Sequence, residues 1–273
     1  MKFSVSMCVY NGDNPLHFET AVASIMNQTL KPDEVIIVVD GPINDILNDV
    51  VIKYEENNLF KVIRLKENLG HGNARRIGLE NCTNDIVAIM DADDISMLNR
   101  FEKQIEYFIN DEEISIIGGQ ISEFIDFADN VVGQRIVPLN DSEIKEYAKT
   151  RCPMNLVTVM FKKSDINKVG GFIDWYCEED YYLWLRMILA NMKFANTNDI
   201  LVNVRVGKEM YNRRGGWKYF KSEYALQKYM KKNKLIGFST YFMNVMKRFI
   251  VQVLMPNKLR GYIFKKFARK SVK

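Results

Sequence analysis

What the sequence lacks narrows its function before any motif is read. No stretch approaches the roughly 20 apolar residues of a spanning helix. Met1 to Tyr10 is too short and too polar for a signal peptide. The four cysteines, Cys8, Cys82, Cys152 and Cys177, form neither a CxxC pair nor metal-finger spacing, so they read as reduced thiols in a cytoplasmic setting. No internal repeat or low-complexity segment is present. No G-x-G-x-x-G follows the first strand-like run, and there is no Walker A lysine loop; Gly70-His71-Gly72 is too loose to be either. A nucleotide site in this chain would hold its phosphates with a metal more than with a glycine cradle. Acid is missing from one end only. After Glu223 there is no Asp or Glu, while residues 224–273 carry 13 of the 38 Lys and Arg. Residues 1–223 then hold 25 basic against 34 acidic residues, a net of −9. An acidic body with a basic tail suggests two jobs, one catalytic and one adhesive.

What is present suits one large α/β domain or one domain with an appendage. Ile86 to Met90 is an apolar run of strand length without alternation, as in a strand buried on both faces, and it stops at Asp91-Ala92-Asp93-Asp94. Carboxylates crowded at a strand end repel one another, and a hard divalent cation compensates them. The competing reading is a solvated acidic turn that caps the next helix through Asp94 or Ser96. Phe3–Tyr10, Glu34–Val39 and Lys61–Leu65 read as further strands, separated by helices at Leu16–Leu30 and Ile43–Asn57, with a third helix ending near Asn81. That rhythm predicts βαβ crossovers and a mostly parallel sheet, whose ligands sit at the C-terminal strand ends. Asn11, Asp40 and Asp91/Asp93 all fall there. Beyond a helix at Asn99–Ile109, strands are expected at Ser115–Asp126 and Val131–Pro138 in a smaller second sheet, then at Leu156–Phe161 and Ile200–Val206, with a helix at Asp141–Arg151. Glu178-Glu179-Asp180 opens another helix, where acids are ordinary dipole partners. Helices are expected at Trp217–Lys234, Ile236–Leu254 and from Pro256 through Phe267, their apolar residues interleaved with Lys and Arg as in an in-plane membrane helix. A helical cover, a dimer contact or a nucleic-acid patch would use the same residues, the last without a recognisable motif.

Taken together, Val9-Tyr10-Asn11, Gln28-Thr29, Asp40-Gly41, Asn68-x-Gly70, Asp91-x-Asp93-Asp94 and Glu179-Asp180-Tyr181 resemble glycosyltransferase family 2, with its GT-A fold. The resemblance covers roughly residues 3 to 220. Glu123–Asp126, Thr158–Ser164, Glu179–Met187 and Arg213–Gly216 are similar to bacterial capsule and exopolysaccharide transferases. The resemblance implies a GT-A domain at 1–216, with a nucleotide-binding half over about 1–110 and an acceptor half over about 111–216, followed by a basic helical region at 217–273. It implies a metal-dependent, inverting transfer of one sugar from a nucleotide-sugar, UDP foremost, to a hydroxyl of a glycan or lipid-linked acceptor. Tyr10, Asn11, Asp40, Gly41, Asn68, Gly70, Arg75, Asp91, Ala92, Asp93, Arg213 and Arg214 would bind the donor. Asp93, with Asp91, would hold Mn²⁺ or Mg²⁺. Asp180 or Glu179 would be the general base, and Glu178 and Trp175 would meet the acceptor. His71, His17, Trp184 and Tyr181 read instead as loop, surface and core residues. No Gln-x-x-Arg-Trp is present, so one sugar per encounter is expected rather than processive synthesis. The expected place is peripheral, at the inner face of the cell membrane, with the oligomeric state open. The alternatives are a nucleotidyltransferase, which would want a Gly-rich basic loop after the first strand, and a non-catalytic carbohydrate- or membrane-binding scaffold, which would not need Asp93 and Asp180 together.

Overall fold

The computed structural model describes residues 1–207 and 215–256. Arg213, Arg214 and all but the first residue of the helix expected over 256–267 lie outside them. Four parallel strands, β1 (Phe3–Val9), β2 (Glu34–Val39), β3 (Phe60–Arg64) and β4 (Ile86–Met90), lie in the order β3-β2-β1-β4. Helices α1 (Pro15–Met26), α2 (Asp45–Glu55) and α3 (His71–Asn81) connect them. Asn14 and Asn44 cap α1 and α2 through their side chains, and Pro15 opens α1 at a position that lacks a helical N–H partner in any case.

Every residue of β4 and all but the first of β2 are buried, as continuous apolar runs require when helices cover both faces. Val35, Ile37 and Val39 of β2 face a core with Phe18, Val22 and Phe101, while Ile36 and Val38 face Ala74 and Leu79. β1 alternates Phe3, Val5, Met7 and Val9 with Ser4, Ser6 and Cys8 because α3 packs close on that second side. A Cβ built on Gly78 would stand 2.4 Å from Ser6 Oγ, so any larger residue would displace the Ser6 side chain.

The remaining strands continue the same sheet. After β5 (Ile95–Ser96) and α4 (Arg100–Asn110) come β6 (Ile114–Phe124), β7 (Val131–Arg135) and α5 (Asp141–Tyr147). β8 (Met160–Lys162), α6 (Lys163–Lys168), α7 (Glu179–Leu189) and β9 (Lys193–Arg205) follow. The sheet runs on from β4 through antiparallel β8 to β6, β9 and β5, with β7 on β6. The strands expected in a smaller second sheet are thus the far half of one curved sheet. β6 is long enough to pair β8 with its first residues and β7 with its last, and register shifts at Gly118 to Ile121 bend it between the two. The strand expected at Leu156–Phe161 is a correction: Leu156–Thr158 is a 3₁₀ turn, and only Met160–Lys162 pairs. The last expected strand, Ile200–Val206, begins seven residues earlier, at Lys193.

Two helices close the described chain, α8 (Gly216–Lys232) and α9 (Phe238–Phe249), with a π-turn at Ile250–Leu254. Leu226 and Met230 of α8 pack with Ile236 against Tyr181 and Leu185 of α7 and against Ala148. The first part of the basic region therefore packs on α7 and the end of α5.

Candidate active site

Parallel register brings the strand ends together. Val9 lies beside Val39, and Met7 beside Met90, so the residues after β1, β2 and β4 share one edge. There a cavity of about 300 Å³ is lined by Cys8, Tyr10, Asp13, Arg75, Asp91, Ala92 and Asp93, among others.

The acidic turn after β4 is held from beneath. Fully buried Arg100 donates from Nη2 to Ile89 O (2.8 Å) and from Nε to Gln104 Oε1 (3.0 Å), which satisfies backbone where the strand leaves the sheet. Burial lowers the Arg100 guanidinium to about 9, against the pull of Asp91 and Asp94. Arg205, at the end of β9, donates from Nε to Asp93 O (3.1 Å) and from its backbone N–H to Asp94 Oδ1 (2.8 Å). Asp94 is therefore a buried anchor for β9. It does not cap α4, whose N-cap position is Asn99 and carries no side-chain cap, so the capping reading falls. Burial, then Asp93 and Asp91, push the Asp94 carboxyl well above its ordinary value.

One strand over, Asp40 knits the loop at 68–70. Its carboxylate accepts Leu69 N–H at 2.7 Å and Gly70 N–H at 3.1 Å, and Asn68 Nδ2 donates to Asp40 O at 3.1 Å. Gly41 has φ +87°, and an added Cβ would stand 2.6 Å from Asn68 N, which only glycine avoids. Asn11 accepts Asn44 N–H at 2.9 Å and so fixes the start of α2. The ring of His71 meets Tyr10 edge-on at 6.1 Å.

Arg75 joins the two halves of the site. From α3, buried, it donates from Nη2 to Asp91 Oδ1 at 3.1 Å and from Nη1 to Glu179 Oε1 at 2.5 Å. Burial alone would lower the guanidinium's pKa; Asp91 and Glu179 outweigh that and raise it. The Glu179 carboxyl is raised by burial, with Arg75 pulling it down and Asp180 pushing it up. Asp180 beside it has neutral partners, Tyr181 N–H at 2.7 Å and Cys152 Sγ at 3.6 Å.

Glu178 and Trp175 turn elsewhere. Glu178, expected at the acceptor, is buried against α8 and accepts Tyr219 O–H at 2.7 Å. Tyr219 also reaches Glu223 at 3.3 Å, and Glu223 pairs with Arg248 of α9. Burial, then Glu223 and Asp180, push the Glu178 carboxyl well above 4.5. Trp175 packs on Tyr182 with ring centroids 4.5 Å apart and donates from its indole N–H to Ser222 O at 3.4 Å. One of its faces is thus committed to the α7–α8 packing.

Asp13, not among the expected site residues, lies in the loop after β1, four residues beyond Val9, whereas Asp40 and Asp91 directly follow β2 and β4. It caps Tyr10 N–H at 2.9 Å and faces the same cavity. Burial, then Asp93 and Asp91 against the Tyr10 N–H, push its carboxyl up to about 7. Three carboxylates around one cavity make a hard, oxygen-only donor set that suits Mg²⁺ or Mn²⁺. Among the described residues no three His, Cys, Asp or Glu side chains already converge as a cage. Mg²⁺ commonly takes only one or two protein carboxylates and completes its shell with water and phosphate oxygens.

The family described as glycosyl transferase family 2 matches residues 4–170. The chain is 37% identical over 270 residues to an Escherichia coli protein named UDP-Gal:alpha-D-GlcNAc-diphosphoundecaprenol beta-1,3-galactosyltransferase, covering 98% of this chain and 97% of that one. It is 35% identical over 268 residues to the amylovoran biosynthesis glycosyltransferase AmsE of Erwinia amylovora, covering 97% and 98%. Among solved structures, S. aureus TarS 1-349 in complex with UDP-GlcNAc superposes with a TM-score of 0.64 at 18% identity, over 97% of this chain and 75% of that one. The mannosyltransferase PcManGT from Pyrobaculum calidifontis, in complex with GDP-Man and Mn²⁺, gives 0.62 at 14% identity, over 95% and 71%. The chain belongs to glycosyl transferase family 2 and has the GT-A fold. It is a glycosyltransferase, and the nucleotidyltransferase and scaffold alternatives fall.

Proposed function

We propose that the protein transfers one sugar from a UDP-sugar to a hydroxyl of a lipid-linked glycan in bacterial surface polysaccharide synthesis, with inversion at the anomeric carbon. The observation that carries this reading is the Arg75 bridge, which sets the Asp91 end of a donor cavity beside the acids that open α7. The names of the E. coli and Erwinia relatives support the substrate class. Residues 1–110 bind the donor and 111–216 the acceptor, and the basic C-terminal region, whose described part is helical over Gly216–Lys232, Phe238–Phe249 and Ile250–Leu254, keeps the enzyme at the membrane.

Asp91 and Asp93 would hold a divalent cation, with Asp13 across the same cavity. Such an ion, when bound, neutralises the charge that develops on the departing diphosphate, an effect worth several kcal/mol. Tyr10 and the Asp40–Gly70 loop shape the side of the cavity that receives the nucleoside. Arg75 keeps Asp91 and Glu179 in register. Because Arg75 engages Glu179, Asp180 is the carboxylate that takes the acceptor's hydroxyl proton. A base so placed contributes about 10²–10⁴-fold. A single displacement leaves no covalent intermediate and inverts the configuration.

A panel of sugar nucleotides with Mn²⁺, read by released nucleotide, tests the proposal. UDP from one UDP-sugar, faster with a polyprenyl-diphosphate-linked saccharide, is expected. Turnover only of a GDP-sugar, or indifference to any saccharide acceptor, would overturn it.

A further inference from the structure

Helix α9 is inside-out. The buried residues of α9 and its π-turn, Asn244 and Gln252, are polar, while the rings of Tyr241 and Phe249 flank them against α8. Asn244 donates from Nδ2 to Lys149 O and to Gln227 Oε1, both at 2.9 Å. Arg248 pairs with Glu223 and donates from Nη2 to Thr150 O at 2.9 Å, and Gln252 is buried one turn on. The opposite face carries Phe238, Phe242, Met246, Ile250 and Leu254, one residue in every four. They are 68%, 52%, 40%, 46% and 62% exposed, with Met243 beside them at 49%. A soluble helix puts its apolar stripe inward; here a continuous stripe faces solvent while hydrogen-bonding groups hold the helix down.

The rim of the stripe is cationic. Exposed Lys247 lies between Met243 and Ile250, and Lys231 Nζ sits 4.8 Å over the Phe238 ring. Trp217, 58% exposed, packs its ring 5.9 Å from Phe249 at the far end. The single carboxylate between Gly216 and Pro256 is Glu223, which is buried and neutralised by Arg248, so neither helix shows negative charge outward. Residues 257–273 add seven Lys and Arg and no acid.

We infer that this face, Phe238 to Leu254 with Trp217, lies flat in an anionic lipid leaflet. Apolar side chains enter the acyl boundary, lysines reach phosphate headgroups, and an exposed Trp sits at the interface, which is the chemistry of an in-plane helix. Charge decides against a second copy of the chain, because a two-fold contact would set the cationic rims against each other. The inference rests on the proposed lipid-linked acceptor for its use, since docking brings the acceptor to α7, but its test does not need turnover.

The test is flotation of the full chain with phosphatidylcholine vesicles, with and without phosphatidylglycerol, beside Phe242→Glu/Ile250→Glu. Both sites are exposed, so the variant should fold; its melting curve checks this, and Phe242→Ser is the milder substitute. The wild-type protein should float with the anionic vesicles, and much less with phosphatidylcholine alone. The double variant should partition roughly 100-fold less, as expected for two apolar side chains left in water. UDP release from donor alone should be equal in the two proteins. Equal flotation would overturn the inference. So would no flotation by either protein, or a wild-type dimer that the variant dissolves. If both proteins float as expected but neither turns over a sugar nucleotide, the proposed function fails and the docking surface stands.

Discussion

Replacing Arg75 with Gln is the most informative single change, because its cost can be worked from the geometry. The pair with Glu179 is buried on both sides, with side-chain exposures of 8% and 12%. Breaking such a pair by removing one partner leaves an uncompensated charge and costs about 3–5 kcal/mol. The pair with Asp91 differs, because that carboxylate is 37% exposed and water replaces the lost partner. Its share is at most about 1 kcal/mol. The loss should therefore follow Glu179. Arg75→Gln should lower unfolding stability in urea by about 3–5 kcal/mol. Adding Glu179→Gln should restore most of it, because the orphaned charge is gone; adding Asp91→Asn should restore little. Part of the loss should also vanish on acidification, as the orphaned carboxylate takes up a proton. Rescue by Asp91→Asn and not by Glu179→Gln, or a loss within about 1 kcal/mol, would refute this account of the bridge.

Glu178 sets a pH dependence. Its folded carboxyl is raised above 4.5 by burial first, so from that pH upward the folded state holds a proton that the unfolded chain releases. The contribution of Glu178 to stability must then fall as pH rises above 4.5, and Glu178→Gln should make the melting temperature decline less with pH than in the wild-type protein; an unchanged slope would count against it. Leu226→Ala should cost about 2–5 kcal/mol if α8 is part of the packed body, and under about 1 kcal/mol in thermal or urea unfolding would make α8 a loose appendage.

Much of the donor side was legible because it depends on local rules. β2 and β4 are continuous apolar runs bounded by acids, and such runs mark strands buried on both faces. Asp13 lies four residues past β1 among turn formers, and only the fold brings it over the cavity beside Asp91 and Asp93. The rest needed contacts distant in sequence. Leu156–Phe161 has a strand's composition, but Asn155 Nδ2 bonds Gly119 O and Thr158 Oγ1 bonds Asn155 O at 2.7 Å, which curls the chain. β9 hides its start behind Asn196 and Thr197, polar residues that are buried because Asn196 Nδ2 donates to Pro138 O. Glu178 reads as one of three similar acids until Tyr219 and Glu223 are placed beside it. The periodicity of α9 announces two faces and cannot say which is outward; Asn244 and Arg248 decide that through residues 95 and 98 positions away.

The central claim is that two sets of carboxylates do separate work, Asp91 and Asp93 on the donor and Asp180 on the acceptor. Single-turnover transfer and calorimetric UDP binding with Mn²⁺, on Asp93→Ala and Asp180→Asn side by side, test it most directly. Asp180→Asn should bind UDP as the wild-type protein does and transfer about 10²–10⁴-fold more slowly, while Asp93→Ala loses the metal-dependent part of binding. Near-normal transfer by Asp180→Asn, or full UDP affinity in Asp93→Ala, would contradict the assignment.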